Sequence, residues 1–173
     1  MSEEITEIHW GDFNYVLLDA AAMGVQFAEA AVREKRHHSL YSGSSATELA
    51  EVAPYLFQFE TASSLASWLL PRCQGKSWAT FLQSAEGPQE LRRHLRKFLM
   101  VRSPEGKDLY YRYYDPRVLR DTLPTFDTQT QREIMGPIEK WLAEAIEPGR
   151  ALCFQWHNLR LRAFEQKWSL AMD

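Results

Sequence analysis

The sequence has little cysteine, and what it has is in no arrangement that does chemistry. Cys73 and Cys153 stand in LLPRCQGK and RALCFQWH, with no CxxC or CxxH spacing. Zinc sites need such pairs to bring two ligands to one ion. Cys153 reads as a buried free thiol. Spacing alone leaves a Cys73–Cys153 disulfide open, although nothing points to an oxidising compartment. Basic excess is also lacking. The net charge is −3, so there is no global positive field of the kind that draws nucleic acid. The eight glycines are scattered and form neither a phosphate loop nor a dinucleotide-binding pattern. No GxSxG elbow surrounds a serine, and Ser42-Gly43-Ser44-Ser45 reads as a flexible loop. No HExxH occurs, and the side chains of the adjacent His37 and His38 diverge in either helix or strand. Neither a cofactor nor a metal is expected. The apolar runs fall far short of the ~20 residues of a spanning helix, so no membrane partner is expected. The start, MSEEITEIHWGDFN, is acidic where a signal peptide would be basic and then apolar. The expected location is the cytoplasm.

Aromatic residues, in contrast, are abundant: six Trp, seven Tyr and nine Phe in 173 residues. A chain of this length folds as one domain and buries roughly 70% of its unfolded surface. Residues 15–20 (YVLLDA), 55–59 (YLFQF), 78–82 (WATFL) and 151–156 read as strands. Residues 25–36 read as a surface helix with Val25, Phe27, Ala28, Ala31 and Val32 on its core side. Further helices are expected over 63–70, stopped by Pro71, over 88–98, and over 116–122 after the Asp115-Pro116 start signal. Residues 99–102 and 108–114 flank Ser-Pro-Glu-Gly as a hairpin. Residues 128–146 read as mostly helical, interrupted at Pro137. Residues 159–172 read as a closing helix with Leu161, Phe164, Trp168 and Met172 on one side.

The expected fold is a single α+β or α/β domain with a mixed central sheet, flanking helices and a helical C-terminal portion. Residues 1–12 read as an N-terminal extension and 13–147 as the main domain. Residues 148–173 read as a strand and helix packed on that domain.

Two segments stand out as candidate sites. Arg92, Arg93, His94, Arg96 and Lys97 form a local basic cluster, either a solvated helix face or a docking patch for an acidic partner or RNA. YRYYDPRVLRDTLP places Asp115 and Arg117 beside Tyr113 and Tyr114 at a strand-to-helix junction. The structural reading is an N-cap aspartate tied to an arginine; the functional one is a groove wall, since Tyr and Arg favour binding hot spots. Carboxylate pairs such as Glu3-Glu4 and Glu48/Glu51 read as solvent-facing.

Several segments together resemble the type VI secretion effector chaperone or adaptor family. They are YVLLDAA, SLYSG, ELAEVAPYL, WATFLQSA, LRRHLRKFLMVR, YRYYDPRVLRDTLPTF and MGPIEKW, in the family's order over about residues 13–142. The resemblance implies a cytoplasmic, non-catalytic protein that binds a cognate effector and delivers it to the VgrG spike. On that reading a partner segment lies in a groove lined by Tyr41, Trp78, Tyr113, Tyr114, Asp115 and Arg117. The alternatives are a hydrolase or nuclease using Asp115, Arg117 and His157, and an RNA-binding module using the basic cluster.

Overall fold

The structure, a computed structural model, describes residues 5–170; Met172 and the Glu3-Glu4 pair lie outside the described residues. In chain order the elements begin with β1 (Tyr15–Asp19), α1 (Ala20–Met23), α2 (Phe27–Arg33), β2 (His37–Ser39), α3 (Ser44–Glu48) and β3 (Pro54–Gln58). Next come α4 (Ser64–Cys73), β4 (Ala79–Ser84), α5 (Pro88–Arg96), β5 (Met100–Arg102) and β6 (Asp108–Tyr110). The chain then forms α6 (Pro116–Thr122), α7 (Thr128–Met135), β7 (Ile138–Glu144), β8 (Arg150–His157) and β9 (Arg160–Lys167).

Seven strands form one sheet in the order β2-β3-β1-β4-β7-β8-β9, and β5 and β6 pair separately. Every pairing between these strands is antiparallel. The expected mixed sheet is therefore corrected. The strand–helix alternation that suggested parallel neighbours is real, because β3-α4-β4 is a crossover between two strands of like direction. The central strand β1 lies between them and pairs antiparallel with both.

The expected helical C-terminal portion is also corrected: β7, β8 and β9 form an antiparallel meander there. Residues 128–146 look helical because apolar residues recur at helical spacing. Gly136, at φ 44°, ends α7, and Pro137 follows it. Beyond that break Trp141, Leu142 and Ala143 are buried on alternating sheet faces, so tertiary packing overrides a helix-favouring composition. The turn between β8 and β9 has Asn158 and Leu159 at φ 47° and 64°. That two-residue turn usually carries Gly at its second position; a leucine there conceals it. Helix α4 also runs past Pro71 to Cys73.

The sheet has a core on each face. On one face Val16, Leu18, Phe57 and Phe81 pack against Met23, Ala30, Leu65 and Leu69 of α1, α2 and α4. On the other, Leu17, Leu56, Leu82 and Trp141 pack against Leu91, Leu95, Leu119 and Ile134 of α5, α6 and α7. Residues 5–12, expected as part of an extension, contribute buried Ile8 and Trp10 to the first core. The Ile8 N–H donates to the Lys167 carbonyl at 3.0 Å. Cys73 and Cys153 are both free and buried in that core. Burial pushes both thiols up, that of Cys153 to about 12.

Candidate functional site

The tyrosine-rich segment follows directly from the β5–β6 hairpin. Its turn is closed by the Gly106 N–H on the Ser103 carbonyl (2.9 Å) and the Ser103 N–H on the Lys107 carbonyl (2.8 Å). Gly106 sits at φ 78°, a conformation that favours glycine. The hairpin's arms are too short to be covered. Met100 and Tyr110 face each other across it and are 52% and 42% exposed; Leu109 is 49% exposed.

Past the hairpin the chain turns inward. Tyr111 donates or accepts at Thr122 Oγ1 over 2.8 Å, and Tyr113 Oη donates to the Leu95 carbonyl at 2.7 Å. Tyr113 is fully buried and meets Trp141 edge-on at 5.6 Å. Tyr114 is buried too, but its hydroxyl reaches outward and donates to Tyr110 Oη at 3.4 Å. Tyr110 in turn donates to Tyr41 Oη at 2.6 Å. Burial, and then the neighbouring hydroxyls, raise the Tyr110 phenol far above its ordinary range; burial raises Tyr114 as well. Both stay neutral, and the Tyr41 hydroxyl, which accepts from Tyr110, has no acceptor for its own hydrogen among the described residues.

Arg112 projects from the same segment. It lies over the Tyr114 ring at 5.7 Å and donates to Asp19 Oδ2 at 2.8 Å. The Asp19 carboxylate is fully buried; it also accepts from the N–H groups of Ala21 and Ala22, capping α1. The arginines of the basic cluster on α5 bond within the chain. Arg92 donates to the Ser39 carbonyl at 2.6 Å and the Tyr41 carbonyl at 3.0 Å, and Arg96 donates to Ser42 Oγ. Arg93 pairs with Glu90. Arg92 and Arg96 fix the 39–42 loop and so place Tyr41 beside Tyr110.

Of the six residues expected to line one groove, the structure connects only some. Tyr41 and Tyr114 meet through Tyr110. Tyr113 is a core pillar with no exposed surface. Asp115 is buried and accepts two bonds from the Arg117 guanidinium, at 3.1 and 2.8 Å, besides capping α6. Burial pushes the Asp115 carboxyl up, but Arg117 outweighs it and leaves it below the ordinary range. Arg117 itself borders a separate cleft with Ser77, Arg120 and Ile146. Trp78 stacks on Trp68 at 6.3 Å on the other face of the sheet. Tyr110 and Arg112 were missed, although both lie in LYYRYY; their roles depend on where the hairpin ends, which composition does not show. No hydrogen bond or ion pair joins His157 to Asp115 or Arg117 among the described residues. Nor do three His, Cys, Asp or Glu residues group there as metal ligands.

The sequence matches the family described as a domain of unknown function, DUF4123, over residues 14–133. The chain belongs to the DUF4123 family. The match runs from β1 into α7 and includes the hairpin and the whole tyrosine relay. The DUF4123 family is linked to type VI secretion effector adaptors and so to effector-related protein–protein interaction. No curated protein and no solved structure matches the chain. Among the described residues no helix is long and apolar enough to cross a membrane.

Proposed function

We propose that this chain is a non-catalytic, cytoplasmic adaptor that binds a cognate type VI effector, the VgrG spike, or both, and loads the effector for export. The observation that carries this reading is the uncovered hairpin of a DUF4123 member. Met100, Leu109 and Tyr110 stand exposed next to Tyr41, whose hydroxyl has no acceptor for its own hydrogen among the described residues. Apolar contact area edged by a hydroxyl donor is the composition of a binding hot spot. Asp115 and the α5 arginines are engaged by partners within the chain. That favours protein binding over the hydrolase and RNA-binding alternatives.

The test is calorimetry of the purified chain with the effector and VgrG encoded beside it. Binding of at least one at micromolar concentration is expected, and Met100→Ser with Leu109→Ser should weaken it about tenfold. Loss of neither partner's affinity in that variant would remove the hairpin from the interface. Failure of both partners to bind wild type would overturn the adaptor reading.

A further inference from the structure

Helix α2 and the 3-10 turn Gly24–Gln26 that leads into it carry an apolar stripe on the wrong side for a core helix. Ala30 is fully buried, but Val25 and Val32 are 87% and 70% exposed, and Ala28 is exposed between them. The spacing 25, 28, 32 is two turns of one helix face, about 10 Å long. Across from it the 3-10 turn Ala50–Val52 presents Val52, and Leu49 just before it is exposed as well. Between Val25 and Ala28 on one side and Val52 on the other lies an open cleft of about 530 Å³, which Phe27 also lines; Val32 and Leu49 stand outside it.

The cleft is preformed. Phe27 packs on Tyr55 at 4.6 Å and on Phe57 at 5.9 Å. Tyr55 Oη donates to the Ala50 carbonyl at 2.9 Å, and the Ala20 N–H donates to the Ala53 carbonyl at 3.1 Å. Both walls are thereby tied to the sheet. The charge at the cleft has one sign. Glu51 is the charged residue that lines it, and Glu48 stands exposed one turn before. Neither carboxylate has an ion-pair partner among the described residues. The nearby Arg33 is already engaged by Glu29 and by the Trp68 ring.

We propose that this cleft is a second docking surface, distinct from the tyrosine–hairpin face, and that its occupant is a cationic amphipathic helix of a protein partner. Apolar side chains at i, i+3 or i+4 and i+7 would lie along Val25, Ala28 and Val52, with flanking Lys or Arg against Glu48 and Glu51. The cleft is built on α1 and α2 on one face of the sheet. The hairpin joins α5 to α6 on the other. Two partners could therefore be held at once.

The test uses fluorescence anisotropy with two labelled helical peptides of about 18 residues, long enough to be helical alone. One is built of Leu and Lys, the other of Leu and Glu, with Leu at positions i, i+3, i+4 and i+7. The Leu/Lys peptide should bind wild type at least about tenfold tighter than the Leu/Glu peptide. Val25→Asp should weaken it about tenfold, and Glu48→Lys with Glu51→Lys should reverse the preference. Met100→Ser with Leu109→Ser should leave it unchanged, so this result stands or falls apart from the hairpin reading. Equal binding of both peptides, or a preference indifferent to the Glu48/Glu51 reversal, would overturn the proposal. So would a concentration-dependent dimer that Val25→Asp abolishes, since the occupant would then be a second copy of the chain.

Discussion

The two exposed regions differ in how their side chains are engaged. On the hairpin side, aromatic and charged groups hold one another: Tyr114, Tyr110 and Tyr41 in series, Arg112 on Asp19, and Arg92 on the loop that carries Tyr41. On the α2 side, Val25, Ala28, Val32 and Val52 are apolar, and among the described residues Glu48 and Glu51 have no ion-pair partner. The first surface is an outgrowth of the core. The second is a set of independent side chains laid over a finished fold. Substitutions should therefore couple and cost stability on the tyrosine side, and should act singly and cost binding on the α2 side.

The sharpest break of that comparison is Tyr113→Ala. Tyr113 has no exposed surface, packs on Trp141 and bonds the Leu95 carbonyl. Truncating a buried aromatic costs about 3–5 kcal/mol, a large part of a domain's stability. Urea unfolding should show the midpoint falling by most of its value. Tyr113→Phe removes one of two bonds to the Leu95 carbonyl, which still accepts from the Phe98 N–H at 3.1 Å, and should cost about 1 kcal/mol. A stable Tyr113→Ala protein with weakened partner binding would instead return Tyr113 to the interface.

Tyr113 also shows what was legible beforehand. The density of LYYRYY marked the segment as important. It could not separate the residues that turn inward, 111, 113 and 114, from Tyr110, which stays at the hairpin. That division depends on where β6 ends and on Leu99 accepting the Tyr111 N–H. The first four strands the pattern located, near residues 15, 55, 78 and 151, are all present because short apolar runs between turn signals admit few other structures. Strands β7 and β9 were hidden by helix-like spacing at Ile138, Trp141 and Leu142 and at Leu161, Phe164 and Trp168. Strand order decides those segments, and strand order is not a local property. The α2 stripe misled for a related reason: periodicity finds an apolar face but does not say whether anything covers it.

Gly136 offers the next largest effect. It sits at φ 44°, and an added Cβ would come within 2.2 Å of the His94 ring. Gly136→Ala should cost about 2–3 kcal/mol from left-handed strain and the clash together. His94→Ala in the same chain should recover the clash portion but not the strain. The double-mutant cycle should therefore be strongly non-additive. Additivity would mean that α5 and the α7–β7 turn are not packed as described.

A smaller effect follows from acid. His94 Nε2 donates to the Ile134 carbonyl at 2.8 Å while the ring is half-buried. Burial lowers its pKa from the usual 6.5; the carbonyl opposes this in part and Lys97 adds to it. With the folded pKa below the unfolded one, the unfolded chain binds more protons in that window. Stability present above about pH 6.5 is then lost as pH falls toward the folded value. Urea midpoints at about pH 7.5 and 5.5 should fall in that order, and His94→Gln should flatten the difference. Asp115, whose lowered pKa starts from 3.8, contributes only in a more acidic window.

The smallest expected effect is the one that tests the orientation of α2 most directly. Val32 is 70% exposed, so Val32→Ser should leave the urea midpoint within about 0.5 kcal/mol of wild type. Two residues earlier, Ala30 is fully buried against the sheet. Ala30→Leu should cost about 1–3 kcal/mol by overpacking, although leucine is as good a helix former as most. A helix placed by its own apolar spacing would give the opposite ranking, because Val25, Ala28 and Val32 would then be the inward face. The contrast therefore separates a stripe left open for a partner from a stripe that belongs to the core. It does so without any partner being present.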